Sequence, residues 1–280
     1  MIKNRISLKA KVANLAKKTN IPNKYLIQNY MFEALLKRIS LSKYKEKFII
    51  KGGLLLSSIF GVDLRSTMDL DTTIKGIPLT KENLEKIMKE IIKIKVDDTV
   101  NLKLENIKDI RLEDEYSGFS VNLSADFDGL KTSLLIDITT GDAITYSEIE
   151  YQYKTIFEDE TISIMSYNFE TIIAEKLESI LYRNIDNTRM KDYYDLYMFV
   201  NLKWDEVNPK ELKSALMNTV RRRKTEFYLL NARKYFELIK IDEELKKLWS
   251  RYSLNYEYAK NITFDDTVKA IDFIMSELSI

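Results

Sequence analysis

Only seven of the 280 residues are Gly, and two of them, Gly52 and Gly53, are adjacent. The pair follows the apolar run 48–50 and precedes the apolar run 54–60, which predicts a strand that turns directly into a buried helix. Glycine leaves backbone N–H groups accessible, and a helix N-terminus carries partial positive charge, so this turn suits a phosphate. An ordinary strand-to-helix turn has the same composition, so the glycines alone do not decide between the two.

Three aspartates add a second constraint. Asp69 and Asp71 flank Leu70 at the start of a predicted strand, and residues two apart on a strand share a face. Asp137 lies within the apolar run 134–138, where a charge is costly unless it is paired. If the two strands are neighbours, three carboxylates meet and bind Mg²⁺, or Mn²⁺ in its place. The alternatives are a solvated strand end for the pair and a salt bridge for Asp137.

The chain has no His and no Cys, which removes several competing chemistries. A Ser-His-Asp triad, a cysteine nucleophile and a zinc site built from His or Cys are all excluded. The lack of Cys also fits a reducing compartment. We find no signal-peptide pattern and no apolar run near the roughly 20 residues that span a bilayer. The sequence therefore predicts a soluble, cytoplasmic protein without a membrane partner.

Charge is distributed unevenly along the chain. Residues 1–51 carry thirteen Lys/Arg and two acidic residues, whereas the whole chain has a net charge of +1. A second basic patch comprises the run 221–224 with Arg233 and Lys234. Such patches attract polyanions such as RNA, but a lysine-rich solvated helix surface has the same composition. Both interpretations stay open at this point.

The order of predicted elements indicates an α+β fold. Amphipathic helices are predicted at 5–18 and 23–40, and alternating strands at 100–104, 119–127 and 134–138 form a mostly antiparallel meander. From about residue 166 only helices are predicted, at 169–183, 190–201, 208–224, 226–239, 241–252 and 264–278. We therefore expect three parts: a basic helical N-terminal segment (1–45), a core with a mixed sheet (46–165) and a helical C-terminal domain (166–280).

Two stretches resemble a known family. The segments Lys51-Gly52-Gly53 and 65–71 are similar to the glycine turn and Asp-X-Asp pair of AbiEii/AbiGii-type nucleotidyltransferase toxins from abortive-infection systems. The segments 176–183 and 189–197 resemble a second motif of the same family, with Lys followed by Arg-X-Lys-Asp-X-X-Asp-Leu. The resemblance covers about residues 47–200 and implies a polymerase-beta-like nucleotidyltransferase core. The sequence departs from the family at Leu54 and in a long spacer between Gly53 and Asp69.

The resemblance also implies roles for individual residues. It assigns metal binding and catalysis to Asp69, Asp71 and Asp137, with Lys176 and Asp192 as further catalytic residues. Seven residues would hold the nucleotide: Gly52, Gly53, Arg65, Ser66, Thr67, Lys176 and Arg183. Independently of the family, Lys176 and Arg183 lie two helical turns apart and share a face, and Asp192 could orient Lys176 or act as a base. The alternative is two surface helices joined by ion pairs.

The implied activity is transfer of a nucleoside monophosphate from an NTP to an RNA hydroxyl, such as a tRNA 3′ end, with Mg²⁺. As a toxin of a type IV toxin–antitoxin system in phage defence, the protein would block translation, and its antitoxin need not contact it. One alternative is nucleotidylation of a protein hydroxyl, as in AMPylation. Another is a catalytically idle nucleotide- or RNA-binding module, against which three potential metal ligands argue.

Overall fold

A computed structural model describes residues 2–110 and 118–280, which include eleven α-helices and seven strands. The helices are α1 (Arg5–Thr19), α2 (Asn23–Leu41), α3 (Gly52–Phe60), α4 (Lys81–Ile92), α5 (Phe169–Arg183), α6 (Met190–Leu202), α7 (Pro209–Arg223), α8 (Glu226–Leu230), α9 (Ala232–Ile241), α10 (Glu243–Asn255) and α11 (Phe264–Glu277). The strands are β1 (Phe48–Lys51), β2 (Asp69–Ile74), β3 (Asn101–Ile110), β4 (Gly118–Phe127), β5 (Leu130–Thr140), β6 (Ile149–Lys154) and β7 (Thr161–Ser166).

The seven strands form one mixed sheet in the order β3-β4-β5-β2-β1-β7-β6. Strands β3, β4 and β5 form the antiparallel meander that the alternating pattern predicts. Strand β2 pairs parallel to β5 and antiparallel to β1, so these three strands lie at the centre of the sheet. The mixed sheet with separate helices confirms the predicted α+β class.

The two faces of the central strands differ in character. Ile50, Leu70 and Ile136 are fully or almost fully buried, and the pairing register places them on one face. Helix α2 packs against β5 and β7, and the amide of Gln28 donates to the backbone oxygens of Met68 (2.8 Å) and Ser133 (3.2 Å). The opposite face carries the polar residues described below.

The chain forms two compact units. The first contains the described residues up to 142 together with 148–167, and the second contains 143–147 and 168–280. The whole sheet lies in the first unit, and helices α5 to α11 lie in the second. The three-part division made from sequence stays a prediction. Within the described residues, no helix combines the length and apolar character that crossing a membrane requires.

The structure contains two strands that the sequence analysis missed, and it divides one predicted helix. Strands β6 and β7 were not predicted; β6 lies at an edge, and among its six residues only Tyr153 is buried, so its apolar signal is weak. The continuous helix predicted over 226–239 is two helices, because Asn231 leaves the helical region between them.

The basic N-terminal segment is partly neutralised by acidic residues from later in the chain. Lys37 pairs with Glu160, and Lys45 pairs with Glu150 at 2.6 Å. Arg38 forms a buried two-pronged pair with Asp98, at 2.6 and 3.0 Å. A substantial part of the excess positive charge of residues 1–51 therefore stabilises the fold instead of facing a partner.

One buried carboxyl in this segment has an unusual environment. Glu33 on α2 is 4% exposed, and its Oε1 accepts a hydrogen bond from the backbone N–H of Ile156 at 2.7 Å. Burial raises the pKa of Glu33 to about 8, opposed by that hydrogen bond and by Lys37, and the carboxylates of Glu158 and Glu160 add to the rise. The protonated form is therefore the one that the fold favours at neutral pH.

We predict that this group makes the first unit less stable as pH rises. Above the ordinary pKa of 4.5 the unfolded chain loses the proton, whereas the folded protein keeps it up to about pH 8. Stability should therefore fall between those two values and stop falling above the higher one. Glu33→Gln keeps an oxygen that accepts from Ile156, and it should flatten this dependence in melting temperatures measured across the window.

The control for this prediction is Glu46→Gln, because Glu46 is exposed in the short turn before β1. It should leave the wild-type pH dependence unchanged. A melting temperature with the same pH dependence in Glu33→Gln as in the wild type would contradict the assignment.

Candidate active site

A row of polar side chains crosses the face of the sheet opposite to Ile50, Leu70 and Ile136, one from each of four adjacent strands. Lys51 on β1 is in register with Asp71 on β2, and Asp71 is in register with Asp137 on β5. Asp137 is in turn opposite Ser120 on β4. In-register neighbours on adjacent strands project from the same face, so this register brings the two carboxylates side by side.

The glycine turn lies directly against Asp71. A Cβ built on Gly52 would stand 1.9 Å from Asp71 Oδ2, and Gly52 has a φ of +69°, so only glycine fits here without strain. A Cβ on Gly53 would stand 2.6 Å from Thr67 Oγ1. The backbone N–H of Gly53 donates to the Asp71 carboxylate. The turn therefore holds a carboxylate in this structure, whereas the sequence suggests that it holds a phosphate.

Several charges act on Asp71. Burial raises its pKa, the positive charge of Lys51 lowers it, and the neighbouring carboxylates of Asp137 and Asp69 raise it again. The net direction is upward, so the ionised form of Asp71 is incompletely compensated by the groups around it. An additional positive charge at this position would stabilise the ionised carboxylate.

The other two predicted metal ligands differ in their surroundings. Asp137 is half-buried, and within the described residues its buried Oδ1 has no hydrogen-bond partner. Asp69 is exposed at the start of β2, where it is in register with Leu135 and not with Asp137. Across residues 2–110 and 118–280, no three acidic side chains are arranged as a ready metal-ligand set. The row brings together two of the three aspartates, and Asp69 lies two register positions away, at the next position on the same face of β2.

A divalent cation fits the pair at the centre of this row. Buried carboxylate oxygens without a partner are rare, and Asp137 Oδ1 is one. Its neighbour Asp71 has its pKa raised partly by like charge, and hard divalent cations prefer carboxylate oxygens. The donor chemistry of Asp71 and Asp137 therefore matches Mg²⁺ or Mn²⁺, with Asp69 as the neighbouring third carboxylate.

Sequence reasoning missed a second network at the edge of this row. Lys51 Nζ pairs with Asp142 and donates to Thr139 Oγ1 at 2.9 Å. Asp142 also accepts from the hydroxyl of Tyr167 at 2.9 Å, and Lys51 lies over the Tyr167 ring at 5.5 Å. Burial would raise the pKa of Asp142, but Lys51 and the hydrogen bonds lower it to about 2. The available signal was a lysine ending an apolar strand, which needs an acidic partner.

The segment before the Asp pair is buried. Arg65, Ser66 and Thr67 are 3, 6 and 5% exposed, and the Arg65 guanidinium donates to the Ser66 carbonyl at 2.7 Å. Thr67 Oγ1 accepts from the backbone N–H of Asp69 at 3.4 Å. These contacts shape the loop that leads into β2. A direct role of these three residues in binding a nucleotide stays a prediction.

The second predicted motif forms an ion-pair cluster within the helical unit. Lys176 on α5 contacts Asp192 at 2.8 Å and Asp195 at 2.7 Å, both on α6. Arg189 pairs with Asp192 at 3.0 Å. Burial would lower the pKa of Lys176, but the two carboxylates raise it, so its ammonium is held in the charged form. Asp192 thus pairs with Lys176, while its predicted role in catalysis stays a prediction, and Asp195 is a partner that the sequence-based assignment left out.

Arg183 has a different environment from Lys176, although both lie on α5. It is exposed at the C-terminal end of the helix. Lys176 and Arg183 therefore lie on one helix, as predicted, but only Lys176 is enclosed by carboxylates. Their predicted roles in holding the nucleotide stay predictions.

Three solved structures resemble this chain at low sequence identity. A provisionally named nucleotidyltransferase from H. pylori has a TM-score of 0.48 at 18% identity, covering 92% of this chain and 98% of that one. JHP933 from Helicobacter pylori has the same score and identity, with 92 and 95% covered. An antigenic nucleotidyltransferase-like protein from Paracoccidioides brasiliensis has a TM-score of 0.41 at 17% identity, with 72 and 92% covered. At this similarity they establish no activity or ligand for this chain.

No curated protein sequence matches the chain. The family model for the nucleotidyl transferase AbiEii toxin of type IV toxin–antitoxin systems matches residues 34–270. This range includes the glycine turn, the three aspartates, the Lys176 cluster and most of the helical unit. The chain therefore belongs to the AbiEii nucleotidyl transferase toxin family.

Proposed function

We propose that this protein transfers a nucleoside monophosphate from an NTP to a hydroxyl of RNA, such as the 3′ end of a tRNA. The observation that carries the proposal is the in-register pair Asp71 and Asp137 beside a glycine turn that only glycine can form. Membership of the AbiEii family supports nucleotidyl transfer and a toxin role. In the cell the reaction would block translation in the cytoplasm during phage defence, under an antitoxin that need not bind this chain.

The proposed reaction is a displacement at the α-phosphorus of the NTP. The acceptor oxygen forms a bond to that phosphorus, the bond to the bridging oxygen of the β-phosphate breaks, and pyrophosphate leaves. The hydroxyl proton passes to a carboxylate oxygen, for which the unpartnered Oδ1 of Asp137 is the candidate. Asp71 is held in place by the Gly53 amide and by the charge of Lys51.

Asp71 and Asp137, with Asp69 beside them, would bind Mg²⁺ or Mn²⁺, which would supply positive charge to the triphosphate and acidify the acceptor hydroxyl. The protein itself positions the carboxylates through the strand register and limits their freedom through the glycine turn. Lys51 and Lys176 would add fixed positive charge, each within its own unit. Because each of these lysines is already paired with aspartate, it is held in one position and not as a mobile surface cation.

The acceptor is the least constrained part of the proposal. Nucleotidylation of a protein hydroxyl uses the same displacement and the same carboxylates, so the site does not separate the two acceptors. An idle binding module would not need a carboxylate with a buried oxygen that has no hydrogen-bond partner among the described residues, such as Asp137 Oδ1. One experiment can distinguish all three.

The first prediction concerns transfer itself. Purified protein with Mg²⁺, total cellular RNA and total protein, given each α-labelled NTP in turn, should label an RNA band. Asp71→Asn and Asp137→Asn should each lower this labelling at least about a hundredfold, because each removes a charge at the reacting centre. Asp109→Asn is the matched control, since Asp109 is exposed on the edge strand β3, and it should keep wild-type labelling.

Label in a protein band and not in RNA would replace the proposed acceptor with a protein hydroxyl. Absence of label with every NTP, in folded protein that still binds nucleotide, would exclude transfer and leave the binding module. Full labelling by Asp71→Asn or Asp137→Asn would show that the carboxylate pair is not the reacting centre.

The second prediction concerns the glycine turn. Gly52→Ala should lower the transfer rate about a hundredfold, because the new Cβ displaces the Asp71 carboxylate and small misplacements are costly in catalysis. Gly76→Ala is a matched control: its φ is +70°, but its Cβ would meet only Lys47 Nζ, at 3.4 Å. Both variants should lose some thermal stability, and only Gly52→Ala should lose activity. If Gly52→Ala and Gly76→Ala had equal activities, the glycine turn would not be part of the active site.

The third prediction concerns the Lys176 cluster. Lys176→Met should lower the melting temperature strongly, because Asp192 and Asp195 are left as buried like charges. Adding Asp192→Asn and Asp195→Asn should recover most of that stability. If Lys176 serves the triphosphate, the stable triple variant should remain poorly active and show a raised KM for NTP. If the triple variant had the kinetics of the wild type, the Lys176 cluster would have only a structural role.

A further inference from the structure

An exposed group of aromatic rings lies at the C-terminal end of α5, and the transfer chemistry leaves it unused. Tyr228 on α8 is central: its ring centroid is 5.0 Å from Tyr182, 5.8 Å from Phe227 and 5.4 Å from Tyr235. Phe227 is 63% exposed and Tyr182 is 48% exposed. We call these four residues the aromatic platform. Rings of this size normally turn inward, so their exposure needs an explanation.

The platform is flanked by basic residues in sequence and in the fold. Arg183 follows Tyr182 directly, the run 221–224 ends α7 just before α8, and Lys234 precedes Tyr235. In the part of the chain that the structure describes, no carboxylate pairs with Arg183, Arg221 or Lys234. Basic residues thus occur on three helices that carry or directly precede the platform residues.

The framework that holds the platform is rigid. Arg223 pairs with Glu178 at 2.6 Å and with Glu175 at 3.3 Å, and Thr225 donates to the other oxygen of Glu178 at 2.8 Å. These contacts tie the α7–α8 junction to α5, where Tyr228 packs against Tyr182. Arg223 therefore stabilises the fold through its ion pairs. Arg221 is also exposed, but no carboxylate among the described residues pairs with it.

We propose that the aromatic platform binds single-stranded RNA, with bases stacked on Phe227 and Tyr182 and with phosphates beside Arg183, Arg221 and Lys234. Stacking rings within a positively charged surface is the combination that single-stranded nucleic acids require. The proposal gives the RNA acceptor of the proposed function a docking surface and rests on that function.

The test is binding of a 5′-fluorescein single-stranded RNA of about 12 nucleotides by fluorescence anisotropy, in EDTA so that no transfer occurs. Phe227→Ser and Tyr182→Ser should each weaken binding about tenfold. Phe227→Tyr keeps a ring for stacking and should bind like the wild type. Arg221→Gln should lower the slope of log affinity against log salt concentration by about one, the value expected for one lost phosphate contact. The serine variants should leave this slope unchanged.

Two controls make the result specific. Leu254→Ser changes another strongly exposed apolar residue, 81% exposed on α10, and should bind RNA normally. Asp109→Asn should also bind normally, because Asp109 is an exposed carboxylate on β3 and lies outside the platform. Circular dichroism and melting temperature confirm that each variant is folded.

Three outcomes would contradict the proposal that the aromatic platform binds RNA. Wild-type affinity in both serine variants would do so, as would loss of binding in Phe227→Tyr. Concentration-dependent self-association in sedimentation that Phe227→Ser abolishes would assign the surface to a second copy of the chain. If RNA is labelled by the wild type while the serine variants bind RNA normally, this inference fails and the proposed function stands. If no RNA is labelled yet the platform variants lose binding, the proposed function fails and the platform stands.

Discussion

The side-by-side placement of Asp71 and Asp137 is the constraint on which the rest of the first unit depends. Two carboxylates in register on neighbouring strands repel, and the nearest cation in their row, Lys51, is already paired with Asp142. Lys51 therefore does not fully neutralise the two carboxylates. The pKa of Asp71 is raised, and the buried Oδ1 of Asp137 has no hydrogen-bond partner among the described residues. A fold that keeps such a pair without neutralising it leaves a position where additional positive charge would be stabilised.

The glycine turn follows from the same pair. Asp71 lies so close to the start of α3 that a side chain at Gly52 would overlap its carboxylate, and the Gly53 amide donates to it. In the structure the turn fixes Asp71, and the role suggested by sequence, a cradle for phosphate, stays a prediction. Both roles use the same property, a helix N-terminus that favours negative charge.

Local sequence patterns predicted most helices and strands, but they did not predict which distant residues contact each other. The strand at 70–74 and the helix Phe169–Arg183 follow from alternation and from the Asn168 N-cap, both of which are local signals. The pairing of β2 with β5 could be proposed because an isolated aspartate in an apolar strand is costly unless its charge is paired. By contrast, Lys51 and Asp142 lie 91 residues apart, and Glu33 meets Ile156 across 123 residues. Nothing in either local sequence indicates those contacts, because they depend on how the strands are ordered in the sheet.

Counting basic residues along the sequence misjudges which of them can face a polyanion. Lys37, Arg38, Lys45 and Lys51 are paired with acidic residues that occur later in the chain, so the strongly basic N-terminal segment is a weaker RNA candidate than its composition indicates. In the helical unit, Arg223 and Arg233 are likewise bound to carboxylates. Arg183, which follows Tyr182 in sequence, and Arg221, which precedes Phe227 by six residues, are exposed and pair with no carboxylate among the described residues. The distinction between a cation that stabilises the fold and one that faces a ligand therefore rests on its partners, and it moves the expected RNA contact from the N-terminus to the end of α5.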